Sequence, residues 1–354
     1  MNSEKSKRYF AAANTGEGFK SYFEEIFFSP SVIKRYIIKG GPGTGKSSFM
    51  KRVALHAASK GHEVEYYYCS SDTRSLDGIK IDGKFAIFDG TAPHSYDTAL
   101  AGVRDEIINL GDFWDSDMLS HEAESILRLT GEKKEAYTSA YAYLGAAHAS
   151  EAIARRISNR FINEPKMNAA VERIYTRVRT ENDMGDVETK QCSALGIHGF
   201  ERLDTLEKLA SSHWQIIDFY GTAKLFLTHL LELAQRDGVS CVVSRNIIDT
   251  SIPTEIYFPC VGTWLGVSDA DFSDSDQNAR VINMKRFVLQ ERLSECRGEY
   301  RAVNKICEDI AVLAVNSLTK AGKAHAELEK YYVKSMDFSR QSEFCTRFIE
   351  KLKF

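Results

Sequence analysis

The chain has 354 residues, 46 Lys plus Arg against 49 Asp plus Glu, and 43% hydrophobic residues. That composition excludes disordered and collagen-like chains, and the length fits two domains at ~150 residues each. A formal charge of -3 gives no basic excess to attract nucleic acid, and no basic amphipathic block marks a membrane surface.

Seven cysteines are widely spaced with no C-x-x-C pair, which excludes a disulfide framework or zinc site and fits a reducing compartment. Few apolar residues follow the N-terminal charges, too few for a signal peptide. No apolar run approaches the ~18 residues of a membrane span. The expected location is therefore the cytoplasm.

After the turn Asn14-Thr15-Gly16, residues Phe19, Tyr22, Phe23, Ile26 and Phe27 fall at helical spacing and predict a short amphipathic helix. A buried strand over 35–39 leads into a glycine-rich turn and a helix from Lys46 to about Ser59, closed by Gly61. A second strand covers 62–70, and a third covers 84–88 and ends at Asp89-Gly90. Residues 118–180 read as helical, with a break near Glu164-Pro165. The polar stretch 181–189 is the expected linker, giving domains 1–182 and 188–354.

The second domain repeats the first at an offset of about 177 residues. Tyr36-Ile37-Ile38 and the loop after it return, one residue shorter, as Gln215-Ile216-Ile217 and 218–224. Asp72-Thr73 matches Asp249-Thr250, and 107–110 resembles 281–284. Gly145-Ala146-Ala147-His148-Ala149 finds its echo in Gly322-Lys323-Ala324-His325-Ala326. Phe200, Leu203 and Leu206 supply the short helix of the second copy, and residues from Met284 onward are helical again. The shared order makes chance matching a poor explanation. The expected fold is α/β: two tandem P-loop NTPase-like domains, each a mainly parallel sheet with helices and a helical extension.

Gly40-Gly41-Pro42-Gly43-Thr44-Gly45-Lys46-Ser47 is a complete G-x-x-x-x-G-K-[ST] motif between a β-rich run and an amphipathic helix. Glycines let successive backbone N–H groups turn toward an anion, and the helix N-terminus adds a favourable dipole. Lys46 would reach the β- and γ-phosphates of ATP, and Ser47 would place its hydroxyl on Mg²⁺, with Ser48 beside it. Asp89, at the end of the apolar run Phe85-Ala86-Ile87-Phe88, is the candidate carboxylate for the metal or its water. His94 and Asp72 are candidates for positioning a nucleophile or an acceptor hydroxyl. Arg74, Arg155 and Arg156 are the arginines considered for neutralising phosphoryl charge, an exposed pair being the favoured reading of the last two.

The second copy has Phe219 for Gly40, Ala223 for Gly45 and Leu225 for Ser47, and its alignment sets Gly266 opposite Asp89. A Cβ at 223 crowds a phosphate loop, and leucine cannot ligate Mg²⁺. This copy is expected not to bind Mg-ATP, and Lys224 reads as a surface lysine.

The strings I-I-K-G-G-P-G-T-G-K-S-S, Y-C-S-S-D-x-x-S-L-D-G and I-F-D-G-T-A-P-H, spanning Ile37 to His94, resemble a family of bacterial tandem P-loop proteins described as ATPases or ATP-binding proteins. In that family both copies usually carry a P-loop, whereas here only the first does. The resemblance implies ATP binding and names no acceptor. Three functions follow as expectations. One is an ATPase whose second half is an intramolecular pseudo-dimer partner, one a small-molecule or nucleotide kinase, and one a nucleotide-gated scaffold that binds a protein partner.

Overall fold

The computed structural model describes residues 7–92, 95–180, 185–268 and 279–354. The chain opens with β1 (Lys7–Phe10), then a hairpin of β2 (Ala12–Thr15) and β3 (Gly18–Ser21), then α1 (Phe23–Phe27). Phe19 therefore lies in a strand, and the helix expected there starts only at Phe23. Residues 12–15 pair antiparallel with 18–21 across a two-residue turn, so strand pairing overrides the helical spacing.

Next come β4 (Lys34–Lys39), α2 (Lys46–Ser59), β5 (Val64–Tyr68), β6 (Leu76–Ile81), β7 (Phe85–Asp89) and β8 (Asp105–Asn109). Strand order is β1-β5-β6-β7-β4-β8, with only β6 running against its neighbours. Ile37 and Ile38 are both fully buried because each face of the sheet is covered. Ile37 packs with Phe23, Phe27 and Phe88, and Ile38 with Phe49, Met50 and Val53 of α2.

Helices α3 (Ser116–His121), α4 (Ala123–Phe161) and α5 (Glu164–Val178) follow, with the break at the place Glu164-Pro165 marks. The second half then repeats the plan. It has β9 (Val187–Thr189), β10 (Ser193–Gly196), β11 (Gly199–Arg202), α6 (Thr205–Leu209), β12 (Ser212–Ile217), α7 (Ala223–Asp237), β13 (Cys241–Arg245), β14 (Pro253–Phe258), β15 (Thr263–Ser268) and β16 (Arg280–Asn283). It ends in α8 (Gln290–Ser335) and α9 (Phe338–Lys351). Its strand order, β9-β13-β14-β15-β12-β16, is that of the first sheet element for element. Residues 187–189 of the expected linker are thus a strand of the second sheet. The two sheets approach edge to edge, where Phe10 N–H donates to Gln191 O at 2.8 Å.

The long helices α4 and α8 lie antiparallel: Lys133 meets His325, Cys307 meets Ala147, and Arg160 pairs with Glu299. Each carries its chain to the opposite sheet. Helix α5 packs Met167, Val171 and Ile174 into one core with Phe226 and Leu230 of α7, while α9 packs Cys345, Phe344 and Phe348 against Phe49 of α2. Each fully buried apolar side chain of this kind stabilises by about 1.5–3 kcal/mol. The crossings match one another. Leu289 N–H donates to Phe161 O and Asn163 N–H to Phe287 O, as Asp115 N–H does to Ser335 O and Asp337 N–H to Phe113 O. The terminal helices are thus exchanged, and the packing crosses the boundary expected between 182 and 188. No described helix is long and apolar enough to cross a membrane.

Candidate functional site

The loop between β4 and α2 lies at the carboxyl end of a sheet strand, where open α/β sheets place ligands. Gly43 (φ +70°) and Gly45 (φ +84°) adopt the left-handed backbone that glycine tolerates without strain, and Gly45 is the N-cap of α2. The first-turn N–H groups of α2 have no intrahelical acceptors, which favours an anion there. Thr44 is buried and its hydroxyl donates to Gly41 O at 2.9 Å, pinning the loop. Lys46 Nζ donates to Gly40 O (3.0 Å) and Gly41 O (2.8 Å). Ser47 Oγ accepts from Leu76 N–H at 3.0 Å, while Ser48 is exposed.

Strands β4 and β7 run parallel with Ile38 opposite Asp89, which brings Asp89 to the mouth of the loop. Its Oδ2 stands 3.6 Å from Lys46 Nζ, and the two side chains are only 16% and 14% exposed. Oδ1 accepts from Thr91 N–H (2.8 Å) and Thr91 Oγ1 (2.5 Å). Burial raises the Asp89 carboxyl above its ordinary range, against the opposing pull of Lys46 and Thr91. Asp77 on β6 is buried nearby, close enough to act electrostatically on Asp89 and hydrogen-bonded to Cys69. Sequence reading passed over Asp77, although it lies in the S-L-D-G string.

Other candidates lie further out. Asp72 is on the rim, paired with Arg74 (3.2 Å) and 3.8 Å from His198. Arg155 pairs with Asp249 of the second half at 3.0 Å, so it is not half of an exposed pair, and Arg156 is exposed. His94 lies outside the described residues.

The exchanged helices cover the loop. A Cβ at Gly41 would stand 2.5 Å from the Tyr332 ring, and one at Gly43 2.9 Å from Val333 and 3.3 Å from Glu329 Cβ. Gln341 and Phe338 of α9 face Gly45. The Glu329 side chain lies beside Gly43, near enough for the Gly43 N–H to act on its carboxylate, which is 3.5 Å from His325 Nε2. The His325 hydrogen bond, the His325 charge and the Gly43 N–H lower the Glu329 pKa, with burial opposing. An anionic side chain thus already stands beside the loop. No local signal marked Glu329 or Tyr332, which lie some 290 residues from the loop.

The second loop resolves the same geometry differently. Asp218 lies inside it and accepts N–H groups from Gly221 (2.8 Å) and Ala223 (2.7 Å). Lys224 is no surface lysine: it forms an ion pair with Glu151 of α4. In both halves the long helix of the other copy places a carboxylate on the loop or its lysine. The structure shifts the alignment of the copies by one residue: Thr222 Oγ1 donates to Phe219 O as Thr44 Oγ1 does to Gly41 O, so Ile216, not Ile217, is the counterpart of Ile38. Ile216 lies opposite Val267 as Ile38 lies opposite Asp89, so Val267, not Gly266, is the counterpart of Asp89.

No group of three or more His, Cys, Asp and Glu side chains is placed to hold a metal ion among the described residues. Comparisons with protein-family models, with curated proteins and with solved structures find no match to this chain.

Proposed function

We propose that the chain binds one Mg-ATP on the 40–47 loop and hydrolyses it. This reading rests on the strand register that sets Asp89 3.6 Å from Lys46 at the mouth of a left-handed glycine loop. Backbone N–H groups of 43–47 would hold the inner phosphates, and Lys46 would exchange its two loop carbonyls for phosphate oxygens. Ser47, Asp89 and Asp77 offer hydroxyl and carboxylate oxygens, the ligand chemistry Mg²⁺ prefers. Mg²⁺, when bound, neutralises charge between the β- and γ-phosphates. Asp89 would orient the attacking water. Because its side chain is largely withdrawn from solvent, its charge acts at low dielectric, where an oriented group is worth most.

Steady phosphate release from Mg-ATP by the purified full chain, absent when Mg²⁺ is chelated, is the expected result. Neither release nor ATP binding would refute the reading. Tight binding without release would favour a nucleotide-gated scaffold, a second reading supported by the cover over the loop. A phosphate on Gly43 N–H would meet the Glu329 carboxylate beside it, and Glu329 is on α8, which ends beside the first sheet. Either way the carboxylate competes with nucleotide. Glu329→Gln is expected to tighten ATP affinity by about 10-fold, the equivalent of one charge-assisted hydrogen bond. Isothermal titration beside wild type checks this, and unchanged or weaker binding would remove Glu329 from the site.

A further inference from the structure

Lys133 is on α4, one turn before Tyr137, whose hydroxyl donates to Ser71 Oγ at 2.9 Å and holds this face of the helix over the 69–72 segment. Its Nζ lies 3.5 Å from His325 Nδ1, and among the described residues no carboxylate stands within ion-pair distance of it. Burial and the nearby charge of Lys46 both lower the Lys133 pKa, while Cys69 and Glu329 act in the opposite sense. Side chains of α8 carry Lys133 to the loop: His325 beside it stands 3.5 Å from the Glu329 carboxylate, and Glu329 Cβ lies 3.3 Å from where a Cβ at Gly43 would stand. A half-buried lysine without an ion partner is costly, and an anion between it and Lys46 would relieve both.

We infer that Lys133 is a second phosphate-binding cation of the 40–47 site, brought by the helical arm to the terminal phosphate of a triphosphate whose inner phosphates lie on the loop. The inference rests on the nucleotide reading above. Glu329, which acts electrostatically on Lys133 and lies beside Gly43, occupies part of the space between Lys133 and the loop. Once a phosphate displaces it, Lys133 and His325 face the incoming charge. The second half agrees with this assignment: the offset that pairs His148 with His325 sets Ile310 at the place of Lys133. There the loop carries its own carboxylate, Asp218, and no arm cation is needed.

The test is calorimetric titration of wild type, Lys133→Met and Lys133→Arg with Mg-ATP, Mg-ADP and inorganic tripolyphosphate. Lys133→Met keeps the apolar stem and drops the charge, and Lys133→Gln gives the same readout if Met disturbs folding. Loss of the charge is expected to weaken ATP and tripolyphosphate by on the order of 10- to 100-fold and ADP by less than about 3-fold, with Lys133→Arg retaining most ATP affinity. Equal losses for ATP and ADP would show a merely structural residue and overturn the assignment, as would unchanged ATP and tripolyphosphate binding. Wild type that binds tripolyphosphate through Lys133 but ignores ATP would uphold the lysine pair and refute the nucleotide reading. Binding of none of the three would refute both.

Discussion

Lys46→Ala is expected to lower ATP turnover by on the order of 10²–10³-fold, the loss seen when one preorganised charge-stabilising group is removed. Nucleotide affinity should fall with it, because Lys46 would contact the phosphates in the ground state as well as in transfer. The alternative cost, collapse of the loop, is small. Lys46 caps the Gly40 and Gly41 carbonyls, but Thr44 separately ties the loop to Gly41, and α2 is anchored by Phe49, Met50 and Val53 in the core. Phosphate release and melting temperature measured side by side separate the two effects. A variant that keeps full turnover would show that the loop is not the reacting site.

Lys190→Met is expected to cost about 3–5 kcal/mol of stability at neutral pH, the usual penalty for removing one partner of a buried ion pair. Lys190 is 5% exposed and links the two halves. Its Nζ reaches Glu65 Oε2 at 3.1 Å, Tyr67 Oη at 2.6 Å and Glu188 at 3.2 Å, and it lies over the rings of Tyr9 and Tyr67. Burial alone would raise the Glu65 carboxyl. Lys190, Lys80 and the Tyr67 hydroxyl outweigh it and hold Glu65 down at about 2. A folded pKa below the unfolded one contributes stability above the unfolded value, near 4.5, and loses it as pH falls toward 2. In the variant burial wins and Glu65 protonates more readily. The gap between variant and wild type should therefore narrow as pH drops below about 4.5, and chemical denaturation at several pH values checks this. A gap that widened in acid would contradict the assigned pair.

Much of the first site was legible because its signals are local. The turn from Ile38 into Lys46, the helix to Ser59 with Gly61 beyond it (φ +89°), and Asp89 at a strand end all lie in contiguous runs whose glycines and apolar residues dictate backbone shape. The duplication was legible for the same reason: 107–110 and 281–284 do occupy matching edge strands and the turns after them, β8 and β16. Strand β6 was missed because its S-L-D-G start reads as a turn, whereas its pairing with β5 and β7 buries every residue of it. The exchange of α5 and α9 was not legible, because an amphipathic helix declares an apolar face but not which of two similar sheets receives it. Glu329 and Lys133 were missed on the same account. Each is an ordinary charge on a long helix until α4 and α8 bring them over the glycine loop. Lys224 was misread because its partner, Glu151, comes from the other half.

The central claim is one nucleotide site per chain, built on the first loop and filled by the protein's own carboxylate in the second. Counting sites by titrating Mg-ATP into wild type, Lys46→Ala and Lys224→Ala tests it most directly. The expected result is one site in wild type, one of equal affinity in Lys224→Ala, and none in Lys46→Ala. Two sites in wild type, or a site lost with Lys224 and kept without Lys46, would contradict it.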